Sequence, residues 1–210
     1  QNPTPDEGTF FQRTWFKRHD EAPKHGHYYV TSDYAVTEDG GDFTVHLVWL
    51  YADGILYLVD GWIGQTAADT WIEQLLDLFK KYKPLCYFGE KGVIEKAVQP
   101  ILSRRMRERQ VFCRLEWIAS IADKPTRARS FQARASMGNV SLPKNEFGEK
   151  VLGQLLSFPA GKYDDCVDGC SVMGMAIDTA HPGIAPVAPP KAVVPRDYRP
   201  PPKGDNWRTV

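Results

Sequence analysis

A chain of 210 residues, of which 42% are hydrophobic and 25% are charged, is large enough to bury the core of one substantial domain. Its 26 basic and 26 acidic residues cancel, so net charge alone predicts neither a nucleic-acid partner nor a membrane. No apolar run reaches membrane-spanning length, and we expect no membrane association. The four cysteines form no CxxC pair, which favours buried thiols in a reducing compartment.

The first part of the chain predicts a short lead-in followed by a sheet. Residues 1–26 mix charges with aromatic rings and show no sustained period, so we expect a lead-in segment whose rings pack on the domain. Strand patterns follow at residues 27–36, 43–51 and 55–63, separated by short connectors that contain Gly and Asp. Because such connectors form hairpins, the three strands predict an antiparallel meander.

Helix and strand patterns alternate in the rest of the chain. Apolar residues at helical spacing predict a helix over residues 66–83 that begins near Thr66. A second helix over residues 93–107 contains Pro100, which is expected to kink or restart it. The remaining predicted elements are strands at 85–90, 111–119 and 139–143 and helices at 123–137, 147–156 and 165–180.

The order of these elements predicts an α/β fold. A meander followed by strands that alternate with helices is typical of a mixed sheet, with antiparallel and parallel strands, flanked by helices. From residue 182 onward, proline recurs among few large apolar residues, which predicts an extended or disordered tail at 182–210. We therefore expect one domain over residues 27–181.

Positive charge is concentrated in the middle of the chain. Residues 96–134 contain ten Lys and Arg but three Asp and Glu. Such an excess suits a polyanionic partner, although a solvated helix face explains the same composition. The sequence alone leaves both interpretations open.

Two isolated carboxylates belong to predicted strands. Asp33 interrupts an apolar pattern, where a buried carboxylate is costly unless it is paired or bound to a cation. A position on the solvent side of the strand explains Asp33 equally well. Glu90 closes the strand at residues 85–90, and open α/β sheets bind ligands at the carboxyl ends of their strands. Taken alone, a glutamate at a strand end is more often solvated.

Three further carboxylates, Asp164, Asp165 and Asp168, open the last predicted helix. One of them can cap the helix and favour its dipole, but three exceed what capping needs. Spacings of three and four residues place them on one helical face, where like charges destabilise unless a cation neutralises them. Oxygen ligands from three distant elements suit Mg²⁺ or Mn²⁺, and two such ions can activate water and stabilise the leaving oxygen of a phosphodiester.

The strand order and the acidic positions together resemble the RNase H-like nuclease superfamily, in which carboxylates from the first strand, the fourth strand and a late helix meet. Within it, the sequence is most similar to the nuclease domain of the large terminase subunit of tailed phages, over approximately residues 28–180. The stretches that carry the resemblance are SDYAVTEDGGDFTVHLVW, YFGEKG, DKPTRARSFQARASMGNVSLP and LLSFPAGKYDDCVDG. The last is the most specific, because a Phe-Pro approach to a DD-x-x-D helix start is typical of that family.

The resemblance implies a catalytic site that depends on divalent metal. Asp33 and Glu90 match the first two catalytic positions, and Asp165 is the favoured third. Asp164 and Asp168 are further candidate ligands of the same site. The implied cofactor is Mg²⁺ or Mn²⁺, with two ions expected.

The implied activity is endonucleolytic cleavage of double-stranded DNA during phage genome packaging in the host cytoplasm. The resemblance also implies an ATPase domain in the same full-length chain, with a portal and a small terminase subunit as partners. No G-x-x-x-x-G-K-[ST] motif occurs and the chain begins at Gln1 without methionine, so we expect an excised domain. One departure from the family is Tyr163, where many relatives have His.

Five basic side chains are candidate contacts to DNA phosphates, which would add affinity without base specificity. They are Arg104, Arg105, Lys124, Arg127 and Arg129. For any one of them, an ordinary surface charge in a salt bridge is slightly the better explanation.

Two other functions fit the same residues. Another RNase H-like nuclease, such as a junction resolvase or an RNA/DNA-hybrid ribonuclease, would use the same carboxylates. A non-catalytic module that grips DNA or docks on a portal would use the acidic cluster only to cap a helix.

Overall fold

The computed structural model describes residues 10–35, 43–119 and 122–180, and the predicted tail at 182–210 lies outside the described residues. The strands are β1 Lys17–His19, β2 His27–Asp33, β3 Thr44–Ala52, β4 Ile55–Gly64, β5 Cys86–Lys91, β6 Arg114–Ala119 and β7 Val140–Pro143. The helices are α1 Ala68–Tyr82, α2 Val93–Arg109, α3 Lys124–Ser136, α4 Glu146–Ser157 and α5 Asp165–Ala180. No helix in the described ranges is both long and apolar enough to cross a membrane.

The described strands form one sheet in the order β1-β7-β4-β3-β2-β5-β6. β2, β3 and β4 are the predicted antiparallel meander. β5 and β6 extend it in parallel on one side, and β7 and β1 do so on the other. The predicted α/β fold with a mixed sheet flanked by helices is therefore confirmed.

Apolar cores lie on the two faces of the sheet. Successive residues of β3 alternate between them, since Leu47 and Trp49 belong to one core and Val48 to the other. Helices α3, α4 and α5 cover the first core, which includes Phe131 of α3. Helices α1 and α2 cover the second, which includes Leu102 of α2. The central strand is thus buried on both faces, so its sequence is nearly continuously apolar.

The lead-in segment contributes more to the fold than its sequence indicates. Phe10, Phe11 and Phe16 are buried in the first core, which confirms that its aromatic rings pack on the domain. In addition, Lys17–His19 forms β1 and pairs in parallel with β7 at the edge of the sheet. A strand of three residues is too short to show a period of two, which is why the sequence did not predict it.

Of the two predicted effects of Pro100, a kink or a new helix start, the new start is wrong. α2 runs from Val93 to Arg109 with Pro100 inside it. Its buried residues Val98, Leu102 and Met106 keep the helical spacing of four across the proline. Packing on both sides of Pro100 therefore outweighs the roughly 3 kcal/mol that an interior proline costs.

The ends of several elements differ from their predicted positions. The residue that precedes α1 is Ala67 rather than Thr66, and it makes no side-chain cap. β2 ends at Asp33 rather than at residue 36, and β6 begins at Arg114 rather than at residue 111. Boundaries shift in this way because tertiary pairing, more than local sequence, decides where a strand stops.

Gly174 allows α5 to pack closely on α3. A Cβ atom at this position would lie 2.5 Å from the backbone nitrogen of Phe131. Gly174→Ala is therefore expected to push the two helices apart and to lower the free energy of unfolding by about 1–3 kcal/mol, measured by urea denaturation.

The matched control is Gly153→Ala in α4, where a Cβ meets no atom within 4 Å. This change is expected to be neutral or to stabilise by up to about 1 kcal/mol, because alanine favours the helix. Equal stabilities of the two variants would contradict the close packing at Gly174.

Candidate functional site

Asp33 and Glu90 lie side by side at the carboxyl ends of two neighbouring strands, and 'edge' below means this end of the strands. Their strands, β2 and β5, are parallel neighbours in which Ser32 pairs with Gly89, so the next residue of each strand is a carboxylate. Both side chains line one open groove of about 230 Å³ together with Val93. The sequence placed Asp33 within a longer strand; it is instead the last residue of β2, where its side chain reaches the edge.

The first turn of α5 reaches the same edge. The Asp165 side chain accepts a hydrogen bond at 3.1 Å from the backbone N–H of Phe43, the residue just before β3. β3 in turn pairs with β2, with Val45 opposite Asp33. Asp165 and Asp168 are both buried, at 5% exposure each. The carboxylates predicted from three distant parts of the sequence therefore meet at one place.

Asp164 precedes the first residue of α5. Its backbone carbonyl accepts the N–H of Asp168 at 3.0 Å, which closes the first helical turn. Its side chain lies 2.8 Å from the ammonium group of Lys124. Asp164 thus serves the helix start through its backbone, while its carboxylate belongs to the acidic cluster.

Two cations from α3 lie among these carboxylates. The guanidinium of Arg127 contacts Glu90 at 2.7 Å and Asp168 at 3.0 Å, and so joins β5 to α5. The ammonium of Lys124 contacts Asp164 at 2.8 Å and Asp168 at 2.9 Å. Spacing of three residues puts both cations on one face of α3.

The start of α3 is fixed by a cap. Asp123 accepts the backbone N–H of Thr126 at 3.3 Å, and a proline occupies the first turn. Both features are typical helix start signals, so the first turn of α3 is defined by its own sequence. That turn presents the two cations to the acidic cluster.

The pKa of Asp33 shows how close the other negative charges of the site lie to it. Burial raises the pKa of Asp33 well above its ordinary value, and the carboxylates of Asp168, Asp165 and Glu90 raise it further, while Lys124 acts in the opposite direction. Burial also raises the pKa of Asp168, although its ion pairs with Lys124 and Arg127 oppose the shift. The cluster is thus only partly neutralised by the two cations.

A buried polar contact supports β2 just before Asp33. The ring of His46 in β3 lies between Ser32 Oγ, at 2.6 Å from Nδ1, and the backbone carbonyl of Trp71, at 2.9 Å from Nε2. A carbonyl only accepts, so Nε2 carries the proton and Nδ1 accepts from Ser32. Burial lowers the pKa of His46 to about 4, so the ring is neutral at pH 7. This contact ties β2 to β3 and α1.

The other basic residues proposed as DNA contacts lie away from the carboxylates. Arg104 is roughly 16 Å along α2 from its start beside Glu90, at 1.5 Å of rise per residue. Arg104 and Arg105 pair with Glu108 of the same helix. Arg129 lies over the ring of Phe10, 5.2 Å from the centroid. Only Lys124 and Arg127, of the five candidates, lie at the acidic cluster.

The donor set of the cluster has the chemistry of a divalent metal site. Carboxylate oxygens are the ligands that Mg²⁺ and Mn²⁺ prefer. Over residues 10–35, 43–119 and 122–180, however, no group of three or more His, Cys, Asp and Glu side chains is arranged to hold a metal ion. The positions between the carboxylates are instead taken by Lys124 and Arg127. The oxygen donors therefore fit a divalent cation, provided that the ion pairs rearrange.

The sequence indicated the carboxylates but not what α3 does beside them. Lys124 and Arg127 were candidate contacts to DNA phosphates, with ordinary salt bridges as the alternative, and in the structure both are bonded to carboxylates. The sequence contained one signal of this arrangement. Lys124 and Arg127 follow the capping Asp123 at a spacing that places both side chains on one face of α3. Nothing in the sequence indicated which surface that face of α3 would cover.

Large terminase nucleases are among the solved structures that share this architecture. The large terminase nuclease from the thermophilic phage G20c, in a structure with bound zinc, is 16% identical, with a TM-score of 0.52 over 73% of this chain and 82% of that one. The human cytomegalovirus terminase nuclease domain, soaked with Mn and with an inhibitor bound, is 11% identical, with a TM-score of 0.52 over 73% and 82% of the two chains. This chain has the terminase nuclease fold. Its mixed sheet is accordingly RNase H-like.

A longer protein also matches. The large terminase of the thermophilic bacteriophage D6E, in complex with ADP, is 13% identical, with a TM-score of 0.59 over 80% of this chain but 44% of that protein. No protein-family model and no curated protein sequence match the chain. At these identities the terminase likeness establishes the fold, and the activity must be argued from the residues.

The charge cluster predicts an unusual response to mutation. Because the folded-state pKa of Asp33 is raised, its ionised form destabilises the fold fully above that pKa, and the cost disappears as pH falls below the ordinary aspartate pKa. With chelator present, Asp33→Asn is therefore expected to increase the free energy of unfolding at pH 7, with a gain that shrinks on acidification. Urea denaturation across pH measures both.

Asp60→Asn provides the opposite case. Burial would raise the pKa of Asp60, but hydrogen bonds from Lys81 and Tyr82 outweigh it and lower the pKa. Its ionised form stabilises the fold above the ordinary aspartate pKa, so the substitution should destabilise at pH 7. For Asp33→Asn, in contrast, a lower free energy of unfolding than the parent at pH 7 with chelator would contradict the convergence of negative charges on Asp33.

Proposed function

We propose that this chain is a nuclease that cleaves double-stranded DNA with the help of divalent cations. The observation that carries the proposal is the meeting of Asp33, Glu90 and the first turn of α5 at one sheet edge. Three sequence-distant elements contribute these carboxylates. A helix cap requires one carboxylate, so capping alone leaves the other elements unexplained.

Asp33, Glu90 and Asp165 are the residues that would hold the cations, with Asp164 and Asp168 as additional donors. The proposed cations are Mg²⁺ or Mn²⁺, with two ions bound. They would supply Lewis acidity that activates water and stabilises the leaving oxygen. The protein orients the donors: the N–H of Phe43 fixes Asp165, and Arg127 fixes Glu90. Solved nucleases of this fold carry zinc, magnesium or manganese, which supports divalent-metal use here.

The substrate would be duplex DNA during genome packaging. The structural neighbours are terminases, which supports a role in a packaging motor within the host cytoplasm. An ATPase domain of the same full-length chain, a portal and a small terminase subunit are the proposed partners. Lys124 and Arg127 are the proposed phosphate contacts nearest the cut, since they lie at the carboxylates. Arg104, Arg105 and Arg129 would contact phosphates farther along the duplex.

One observation favours a second candidate, a non-catalytic DNA-gripping module. Arg127 and Lys124 already pair with Glu90, Asp164 and Asp168, as in a structural ion-pair network. Such a module would bind DNA without cutting it. Cleavage that requires a divalent cation separates the two functions.

A plasmid assay tests the nuclease directly. With Mg²⁺ or Mn²⁺ the chain is expected to nick and linearise supercoiled DNA, and EDTA should abolish this. Asp33→Asn and Asp165→Asn should each lower the rate at least about 100-fold, because a metal ligand contributes several kcal/mol of transition-state stabilisation.

The matched control lies on the same helix. Asp178→Asn removes an exposed carboxylate that pairs with Arg134, thirteen residues beyond Asp165, and should leave the rate unchanged. Parallel assays on four-way junctions and on RNA/DNA hybrids distinguish the terminase activity from that of other RNase H-like nucleases. Cleavage by Asp33→Asn or Asp165→Asn at the parental rate would overturn the assignment.

A further inference from the structure

Lys124 makes its ion pairs with carboxylates that the proposed function assigns to metal. Its ammonium lies 2.8 Å from Asp164 and 2.9 Å from Asp168. The Asp168 side chain is 7% exposed, so few other groups can reach it. An ammonium and a divalent cation cannot both take the same carboxylate oxygens at full strength, because each needs the same lone pairs.

We propose that Lys124 is an internal competitor of the divalent cation, which holds Asp164 and Asp168 until the cation displaces it and so sets the metal concentration that the site requires. This inference rests on the proposed nuclease function. It assigns Lys124 a role in metal affinity that is separate from phosphate binding.

The two cations of α3 differ in how easily they can leave. The Lys124 side chain is 48% exposed and is carried on a flexible four-carbon stem, so it can rotate into solvent. The Arg127 side chain is 10% exposed and is held by carboxylates of two different elements, Glu90 and Asp168. Arg127 therefore acts as a fixed tether between β5 and α5, whereas Lys124 is the exchangeable cation.

Competition follows from charge as well as from geometry. The Lys124 ammonium is a compact positive charge that lies within hydrogen-bond distance of both Asp164 and Asp168. A divalent cation that approaches Asp168 consequently meets a positive charge within hydrogen-bond distance of its ligand. Displacement of that charge costs part of the binding free energy of the metal.

Titration with Mn²⁺ alone, followed by calorimetry and by the EPR signal of free Mn²⁺, tests the competition. Lys124→Met keeps the length of the side chain and removes the charge. It is expected to bind Mn²⁺ on the order of fivefold more tightly than the parent, which is the effect of losing one partly exposed ion pair. Lys124→Arg, which keeps the charge, should bind Mn²⁺ like the parent.

Lys81→Met is the matched control for charge removal. Lys81 makes a comparable ion pair, at 2.7 Å, with Asp60 of β4, which is not one of the proposed ligands. Its removal should leave Mn²⁺ affinity unchanged. Thermal melting of each variant in EDTA establishes that the protein is folded, and Lys124→Gln replaces Lys124→Met if the latter does not fold.

The outcomes separate this inference from the proposed function. A parent chain that binds Mn²⁺ and cuts DNA, with Lys124→Met binding no more tightly, overturns the competition and leaves the nuclease intact. A parent that neither binds Mn²⁺ nor cuts DNA overturns the nuclease. In that case, Mn²⁺ binding by Lys124→Met would still support competition, and its absence would overturn that too.

Discussion

Carboxylates from distant parts of the chain repel one another where β2, β5 and α5 meet, and the surrounding helices must compensate for that repulsion. The strand β2 contributes Asp33, β5 contributes Glu90, and α5 contributes Asp165 and Asp168. The charges of the other three carboxylates act together on Asp33. A folded protein can keep such a cluster only if other groups compensate for the buried charge. Here α3 does so in part, because Arg127 and Lys124 reach into the cluster from its first turn.

The packing behind the cluster serves this arrangement. α3 and α5 must lie close together for a cation on one to reach carboxylates on the other, and Gly174 allows this by leaving room for the backbone of Phe131. On the opposite face of the sheet, the neutral ring of His46 joins β2 to α1 one residue before Asp33. The core therefore fixes the backbone at the site while the charged side chains stay partly uncompensated. Residual repulsion of this kind is typical of functional sites, which often sacrifice stability.

Much of the fold was predictable because its signals are local. The hairpin connectors gave the meander β2 to β4, and the long apolar stripe of α1, with Trp71 and Leu75 buried, gave that helix. What escaped prediction depends on distant partners. β1 exists only because Lys17–His19 pairs with β7, and α2 continues through Pro100 only because the core holds it on both sides.

The same division applies to the candidate site. Asp33, Glu90 and the acidic start of α5 were predictable as a group, since strand ends and helix starts converge at one edge of such a sheet. The partners of these carboxylates were not predictable, because the face that α3 turns toward the cluster depends on how α3 packs on α5.

Whether these carboxylates form a divalent-cation site can be determined with crystals soaked in Mn²⁺ and measured at its absorption edge. Anomalous density between Asp33, Glu90 and the first turn of α5, with Lys124 turned away from Asp168, is the result that we predict. A crystal soaked in saturating Mn²⁺ that shows no anomalous density there, with Lys124 still bonded to Asp168, would contradict it.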